Sequence, residues 1–165
     1  KMDEWRNNFK GIRHISEEEG YNFGGAVDDI WQKPNGELIV VDVKATSKNE
    51  FNWEETFSKW EYAKGYKRQL EMYQWTLRKN GFEVANEGYL VYYNGKKHEP
   101  MFNQRLEFDL HLIRLECDDS WVEQAVLEAK KTLEGDMPKT ALACENCNYL
   151  KKRWEVSQKN PKDLL

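Results

Sequence analysis

The chain has 165 residues, which corresponds to about one domain with room for a sizeable hydrophobic core. Hydrophobic residues make up 39% and charged residues 33% of the sequence, and its seven Trp, eight Tyr and seven Phe exclude a disordered chain. The net charge of −4 provides no global basic field for nucleic acid, and no apolar run approaches the ~20 residues of a membrane span.

The N-terminal segment and the cysteines indicate where the protein is found. Residues 1–10 are too polar and aromatic for a signal peptide, and three cysteines do not form a disulfide framework. We therefore expect an intracellular, cytoplasmic protein that does not associate with membranes. Because the chain opens abruptly at Lys1-Met2, we also expect it to be a fragment or a processed form.

The first 20 residues predict a short helix followed by a first strand. Trp5 and Phe9 are four residues apart and would share one face of a helix over Met2–Lys10. The segment Ile12–Glu17 alternates weakly between apolar and polar residues, which predicts a strand, and residues 17–20 predict the turn that follows it.

The stretch from Gly25 to Thr46 predicts two strands joined by a tight turn. We expect strands over Phe23–Gln32 and Glu37–Ala45, with the turn at Pro34-Asn35-Gly36, because Pro fixes one φ angle and Asn-Gly tolerates positive φ. Alternation along the second strand puts Ile39, Val41 and Val43 on one face and Val40, Asp42 and Lys44 on the other. A strand this apolar is expected to be covered on both faces.

Acidic residues from both strands of this predicted hairpin come close together. Asp28 lies on the first strand and Asp42 on the second, and carboxylates brought together repel each other unless a cation lies between them. Oxygen-rich sites of this kind suit Mg²⁺ or Mn²⁺. Lys44 can hold an anionic substrate or a developing negative charge beside them. Asp29 points to the opposite face of its strand, and we expect it to face solvent.

The remaining chain predicts a long helix, two strands and two further helices. These are a helix over Thr56–Asn80, strands over Gly88–Tyr93 and Gln104–Glu116, a helix capped by Asp118-Asp119-Ser120 and a helix over Cys147–Gln158. Gly65 is a weak point of the long helix, where we expect a break. We predict a single domain over residues 1–158 and a loose C-terminal tail over residues 159–165.

Three motifs in this order resemble the PD-(D/E)XK nuclease superfamily. Gly-x-Val-Asp at Gly25–Asp28 is followed by Asp42-Val43-Lys44 and then by Gln69-Leu-Glu-Met-Tyr73. The last motif matches the Q-x-x-x-Y of the RecB-like exonucleases, which include a CRISPR-associated nuclease. The resemblance implies an α/β fold with the restriction-endonuclease-like core, in which helices flank a mixed central sheet.

The resemblance also implies a metal-dependent, exonuclease-like DNA phosphodiesterase. The implied catalytic residues are Asp28, Asp42 and Lys44, the implied ligands of Mg²⁺ or Mn²⁺ are Asp28, Asp42 and the Val43 carbonyl, and the implied accessory, substrate-binding pair is Gln69 and Tyr73. For Tyr73, packing of an aromatic ring against the sheet is an equally open interpretation. The family's first motif, an acid or His, has no assigned residue, because His14 lies in a predicted strand rather than a helix.

The C-terminal cysteines resemble part of a metal-cluster motif. Cys144-Glu-Asn-Cys147-Asn-Tyr149 is similar to the start of C-x2-C-x-Y-x3-C in the iron–sulfur members of the family. Arg153 stands where that motif has its next cysteine. Apart from Cys144 and Cys147, Cys117 is the only cysteine in the sequence. Since these clusters need four thiolates, we expect no iron–sulfur cluster and a packing role for the cysteine pair.

Two other functions remain open at this point. One is a catalytically inactive nuclease-fold module that binds nucleic acid, in which the acids are structural. The other is an interaction module that presents the aromatic-rich surface to a protein partner. The net acidity favours both alternatives, whereas the ordered set of motifs favours the nuclease.

Overall fold

A computed structural model describes residues 1–99 and 104–158, so the predicted tail over residues 159–165 lies outside the described residues. The strands are β1 Ile12–Ser16, β2 Tyr21–Gly25, β3 Asp29–Gln32, β4 Leu38–Thr46, β5 Val84–Gly95 and β6 Phe108–Glu116. The helices are α1 Met2–Trp5, α2 Trp53–Lys59, α3 Glu61–Lys79, α4 Val122–Glu134 and α5 Glu145–Ser157. The chain divides into two compact units, Lys1–Glu128 and Ala129–Leu165, and each is described by itself.

The first unit is built on a four-stranded mixed sheet in the order β3-β4-β5-β6. The central pair β4–β5 is parallel, and the two outer pairs are antiparallel. Strands β1 and β2 form a separate antiparallel pair. Helices flank the central sheet, so the predicted α/β class with a mixed central sheet is confirmed. None of the helices in residues 1–99 and 104–158 is both long enough and apolar enough to cross a membrane.

Strand β4 has the two faces that its alternation predicts. On one face Val40 is buried against Leu70 and Leu77 of α3 and Leu90 of β5. On the other face Ile39 and Val41 pack with Ala85, whereas Val43 and the β6 residues Leu110 and Leu112 stay exposed within the first unit. The expected cover on both faces is therefore correct for the middle of β4 but wrong at Val43.

The predicted strand over Phe23–Gln32 is wrong, because the structure divides it into β2 and β3. The first part pairs with β1 and the second with β4, and the two parts lie in different sheets. Gly24 explains the close pairing with β1, since a Cβ atom there would lie 2.1 Å from the Ile12 carbonyl oxygen. The chain leaves this pair after Gly25 and enters the central sheet at Asp29.

Two predicted helices have different limits in the structure. The N-terminal helix ends at Trp5 rather than Lys10, because the Asn7 side chain accepts backbone hydrogen bonds from Phe9 at 2.8 Å and Lys10 at 3.2 Å. The long helix breaks at Trp60 rather than Gly65. Trp60 has φ −119° and ψ 119°, which ends α2 and begins α3, while Gly65 stays helical.

Glu71 anchors α3 to the segment that leads into α4. Its carboxylate is buried and accepts hydrogen bonds from Trp121 Nε1 at 2.9 Å and from the Asp118 backbone N–H at 3.1 Å. Lys67 Nζ lies 3.7 Å from the same carboxylate. Glu71 sits between Gln69 and Tyr73 in the sequence motif, but its partners show a structural role.

We expect Glu71→Ala to lower the free energy of unfolding by about 3 kcal/mol, because two buried donors and a lysine lose their acceptor. Glu71→Gln keeps one acceptor oxygen at the same place and should cost clearly less. Urea denaturation of both variants measures the difference. Equal losses would show that the side chain acts through its charge alone rather than by accepting these hydrogen bonds.

Candidate active site

The register of β3 and β4 brings the two predicted acids together. Asp29 lies opposite Val41 in this antiparallel pair, so Asp28, just before β3, comes beside Asp42. Asp28 Oδ2 accepts a hydrogen bond from the Val43 backbone N–H at 2.8 Å, which fixes its carboxylate over β4. Asp28 is exposed, whereas only 2% of the Asp42 surface is accessible. One carboxylate thus faces solvent while the other is enclosed.

Asp42 is a buried carboxylate beside a lysine. Burial raises the pKa of Asp42, the nearby Lys44 ammonium lowers it, and the neighbouring Asp28 raises it again. Asp42 Oδ2 lies 2.5 Å from Lys44 Nζ, but this enclosed oxygen accepts no well-aligned hydrogen bond within the described residues. A buried, unsatisfied carboxylate oxygen is costly unless positive charge compensates it.

Lys44 is held in place by three neighbours. Besides Asp42, its Nζ donates to Gln69 Oε1 at 3.3 Å and lies 4.6 Å from the centre of the Tyr66 ring. The stem is mostly buried, with 19% of the side chain exposed. A lysine held in this way keeps its charge at a defined position instead of sampling many rotamers in solvent.

Gln69 and Tyr73 connect α3 to the segment that carries Asp28. Gln69 Nε2 donates to the Tyr73 hydroxyl at 3.3 Å, and this hydroxyl donates to the Ala26 carbonyl at 2.6 Å. The Tyr73 ring also packs on Gly25, where a Cβ atom would lie 3.2 Å from the ring. Tyr73 therefore both packs in the core and positions the Asp28 segment. The structure brings together the predicted side chains Asp28, Asp42, Lys44, Gln69 and Tyr73.

Arg6 is a residue of the site that the sequence did not indicate. Its Nε donates to the Asp28 carbonyl at 2.9 Å, and its Nη2 pairs with Asp29 Oδ1 at 2.6 Å. Asp29 stays partly accessible to solvent, as expected, but its carboxylate is not free, because it pairs with Arg6 and accepts a hydrogen bond from the Ile30 N–H. The adjacent acids Asp28-Asp29 were the only signal that a cation was needed here.

His14 does not supply the missing first motif. Its ring packs edge-on against Trp75, 5.4 Å between centroids, and against Tyr21, 5.9 Å between centroids. Residues 1–99 and 104–158 contain no cluster of three or more His, Cys, Asp or Glu that could hold a metal ion. The donor set is therefore two carboxylates, with the Val43 carbonyl as a third ligand that stays a prediction.

This donor set fits a hard divalent cation. Mg²⁺ is commonly bound by one or two carboxylates and keeps several water ligands, so it does not require a full protein cage. The enclosed carboxylate of Asp42 and the exposed carboxylate of Asp28 are oxygen donors of this kind. Asp28 and Asp42 are accordingly the residues that would hold the ion.

The cysteines have separate local roles. Burial raises the pKa of the Cys117 thiol to about 11, which keeps it protonated. In the second unit, Cys144 caps α5, and its Sγ accepts the Cys147 backbone N–H at 3.3 Å. Hydrogen bonding with Cys147 lowers the pKa of Cys144. The expected lack of an iron–sulfur cluster stays a prediction.

Comparisons with known proteins agree with the order of the motifs. A family model described as the PD-(D/E)XK nuclease superfamily matches residues 1–151. Among solved structures, the chain is similar to the crystal structure of SSO0001, with 19% sequence identity and a TM-score of 0.41. That alignment covers 84% of this chain and 54% of SSO0001, so the chain spans about half the length of that protein. No curated protein matches the chain.

Proposed function

We propose that this chain, which belongs to the PD-(D/E)XK nuclease superfamily, is a metal-dependent nuclease of the RecB-like branch that hydrolyses the DNA backbone in an exonuclease-like manner. The observation that carries the proposal is the position of Lys44, whose ammonium contacts both Asp42 and Gln69. This contact joins the Asp-x-Lys motif to the Q-x-x-x-Y motif. The proposal does not extend to a CRISPR-associated role, because only the incomplete cysteine motif at Cys144 and Cys147 resembles those members.

The site residues divide the chemistry between them. When bound at Asp28 and Asp42, Mg²⁺ or Mn²⁺ supplies Lewis-acid stabilisation of the phosphoryl group and activation of water. Lys44 places a positive charge where negative charge builds up on the attacked phosphate. Gln69 holds the Lys44 ammonium through its Oε1, so the charge is already oriented before the substrate arrives.

The backbone around Asp28 is held from two sides. Tyr73 binds the Ala26 carbonyl, and Arg6 binds the Asp28 carbonyl. Asp28 itself is fixed over β4 by the Val43 N–H. These contacts keep the exposed carboxylate next to Asp42 although it lies outside a strand, which is the preorganisation that a two-carboxylate site needs.

A catalytically inactive module for nucleic-acid or protein binding is the second candidate. The observation that favours it is the donor set, which has two carboxylates and no third acid or histidine within the described residues. In such a module Asp42 and Lys44 would act as a buried ion pair. The two candidates differ in whether metal ions lead to cleavage.

Cleavage of end-labelled single-stranded and double-stranded DNA tests the proposal. We expect products in Mg²⁺ or Mn²⁺ and none in EDTA, and the product ladder then reports stepwise or internal cleavage. Circular dichroism confirms that the protein is folded in each buffer. A folded chain that is inert with both metals would overturn the nuclease, and DNA binding by the inert chain would support the inactive module.

A further inference from the structure

The break between α2 and α3 exposes two aromatic rings. Neither glycine nor proline occurs at Lys59-Trp60-Glu61, yet Trp60 adopts an extended conformation there. Trp60 is 54% exposed and Tyr62 is 45% exposed. The two ring centroids are 6.2 Å apart with 30° between the ring planes, so the rings present neighbouring flat surfaces to solvent. Contiguous apolar surface rimmed by polar groups is a feature of ligand and partner sites.

Tyr62, but not Trp60, lines an open pocket of about 300 Å³, here called the tyrosine pocket. It is lined by Ala45, Thr46, Lys48, Tyr62, Tyr66 and Tyr92. Tyr66 is the ring on which the Lys44 ammonium rests, at 4.6 Å from its centroid. Tyr66 therefore lies between the tyrosine pocket, which it lines, and the lysine of the candidate active site, which it contacts.

Lys48 carries a positive charge at the wall of this pocket. Its Nζ donates to Thr56 Oγ1 at 3.0 Å and to the Tyr62 hydroxyl at 3.4 Å. Within residues 1–99 and 104–158 it forms no salt bridge with a carboxylate. The nearby acid Glu55 interacts with it only electrostatically, because the Glu55 carboxylate pairs with Lys59. A lysine that hydroxyl groups orient, with no carboxylate in direct contact, suits a phosphate.

A second pocket continues from Lys48. It has a volume of about 220 Å³ and is here called the lysine pocket. Its lining contains Lys48, Lys96, Lys97 and His98, the two acids Glu99 and Asp109, and neutral polar groups. Lys96 pairs with Asp109 at 3.3 Å, whereas Lys97 is exposed and, like Lys48, forms no salt bridge within the described residues. Because Lys48 lines both pockets, they adjoin each other.

We propose that the two pockets bind an unpaired nucleic-acid strand, with one base stacked on Trp60 and Tyr62 and phosphates held by Lys48 and Lys97. Only an unpaired base offers its face to protein aromatic rings, since a duplex keeps its bases stacked inside. With a net charge of −4 the chain has no broad basic field for a duplex, whereas Lys48 and Lys97 lie along this path. That the strand leads to Lys44 for cleavage rests on the proposed function.

Fluorescence anisotropy in EDTA tests the stacking site without any cleavage. The probes are a labelled single-stranded oligodeoxynucleotide, its duplex and an RNA of the same sequence. We expect Trp60→Ala and Tyr62→Ala each to weaken single-strand binding by about tenfold or more. Tyr62→Phe keeps the ring and should bind nearly as tightly as the wild type. Tyr93→Ala is the matched control, because Tyr93 is 41% exposed on the other face of the sheet.

The outcomes separate this inference from the proposed function. Unchanged affinity in Trp60→Ala and Tyr62→Ala, an equal loss in Tyr93→Ala, or tighter binding of the duplex would overturn the stacking site even if the wild type cleaves DNA. Selective loss in the two variants would support it even if the wild type is inert with every metal. Equal binding of DNA and RNA strands would also support it, since stacking does not read the sugar.

Discussion

Replacing Asp42 by asparagine is expected to reduce metal-dependent DNA cleavage at least ~10³-fold, because a metal site contributes several kcal/mol of transition-state stabilisation. Asparagine keeps the shape of the side chain and removes the negative charge that would hold the cation. The cleavage rate under single-turnover conditions, at saturating Mg²⁺ or Mn²⁺, measures the loss. Because the variant leaves the mostly buried Lys44 without its carboxylate partner, circular dichroism and urea denaturation must show that the variant is folded under the assay conditions.

Asp29→Asn is the matched control for this variant. Asp29 lies one residue after Asp28 and opposite Val41, but its carboxylate pairs with Arg6 rather than with Lys44. We expect its cleavage rate to stay within a few-fold of the wild type. Strong loss in Asp29→Asn together with weak loss in Asp42→Asn would mean that the metal is held on the Arg6 side, and the assignment of Asp42 would be wrong.

Sequence predicts which side chains of the candidate site lie together where their spacing is local. Residues two apart on a strand share a face, which groups Asp42 with Lys44, and residues four apart on a helix share a face, which groups Gln69 with Tyr73. In the structure these two pairs meet through the contact between Lys44 and Gln69. Periodicity fixes each pair by itself, and the order of the motifs predicts that the pairs come together.

Long-range contacts explain what sequence could not predict. Arg6 reaches the Asp28 segment across 22 positions of the chain, and a single arginine in a polar segment has no pattern that indicates such a partner. Lys48 is equally ambiguous in sequence, because only the fold places it against Tyr62. Glu71 follows Gln69 by two residues, yet its buried partners Asp118 and Trp121 lie about 50 positions away.

Backbone breaks were mispredicted because local propensity does not decide them. Gly65 is a poor helix former, but the buried apolar face of α3, including Leu70 and Leu77, offsets a penalty of only about 1 kcal/mol. The break falls instead at Trp60, where the sequence gives no signal. In the same way, the sequence over Phe23–Gln32 gives no sign of the division into β2 and β3, which accompanies the close approach of Gly24 to β1.

Lys44→Met is expected to lower kcat for DNA cleavage about 10²- to 10³-fold, which is the usual cost of losing one preorganised charge or donor at a developing oxyanion. Methionine keeps the apolar stem, so the packing of Lys44 beside Tyr66 is largely preserved. We expect KM for DNA to change little, because the charge acts on the reacting phosphate. Steady-state kinetics in Mn²⁺ separates the two parameters.

Lys44→Arg should not restore the rate. The lysine ammonium fits between Asp42 Oδ2 at 2.5 Å and Gln69 Oε1 at 3.3 Å, whereas the larger planar guanidinium has a different reach and donor geometry. Lys48→Met provides the contrast, since Lys48 is proposed to hold substrate and its loss should raise KM more than it lowers kcat. If Lys44→Met instead raised KM and left kcat unchanged, Lys44 would be a second phosphate-binding lysine. The cleavage chemistry would then have to be assigned to other groups.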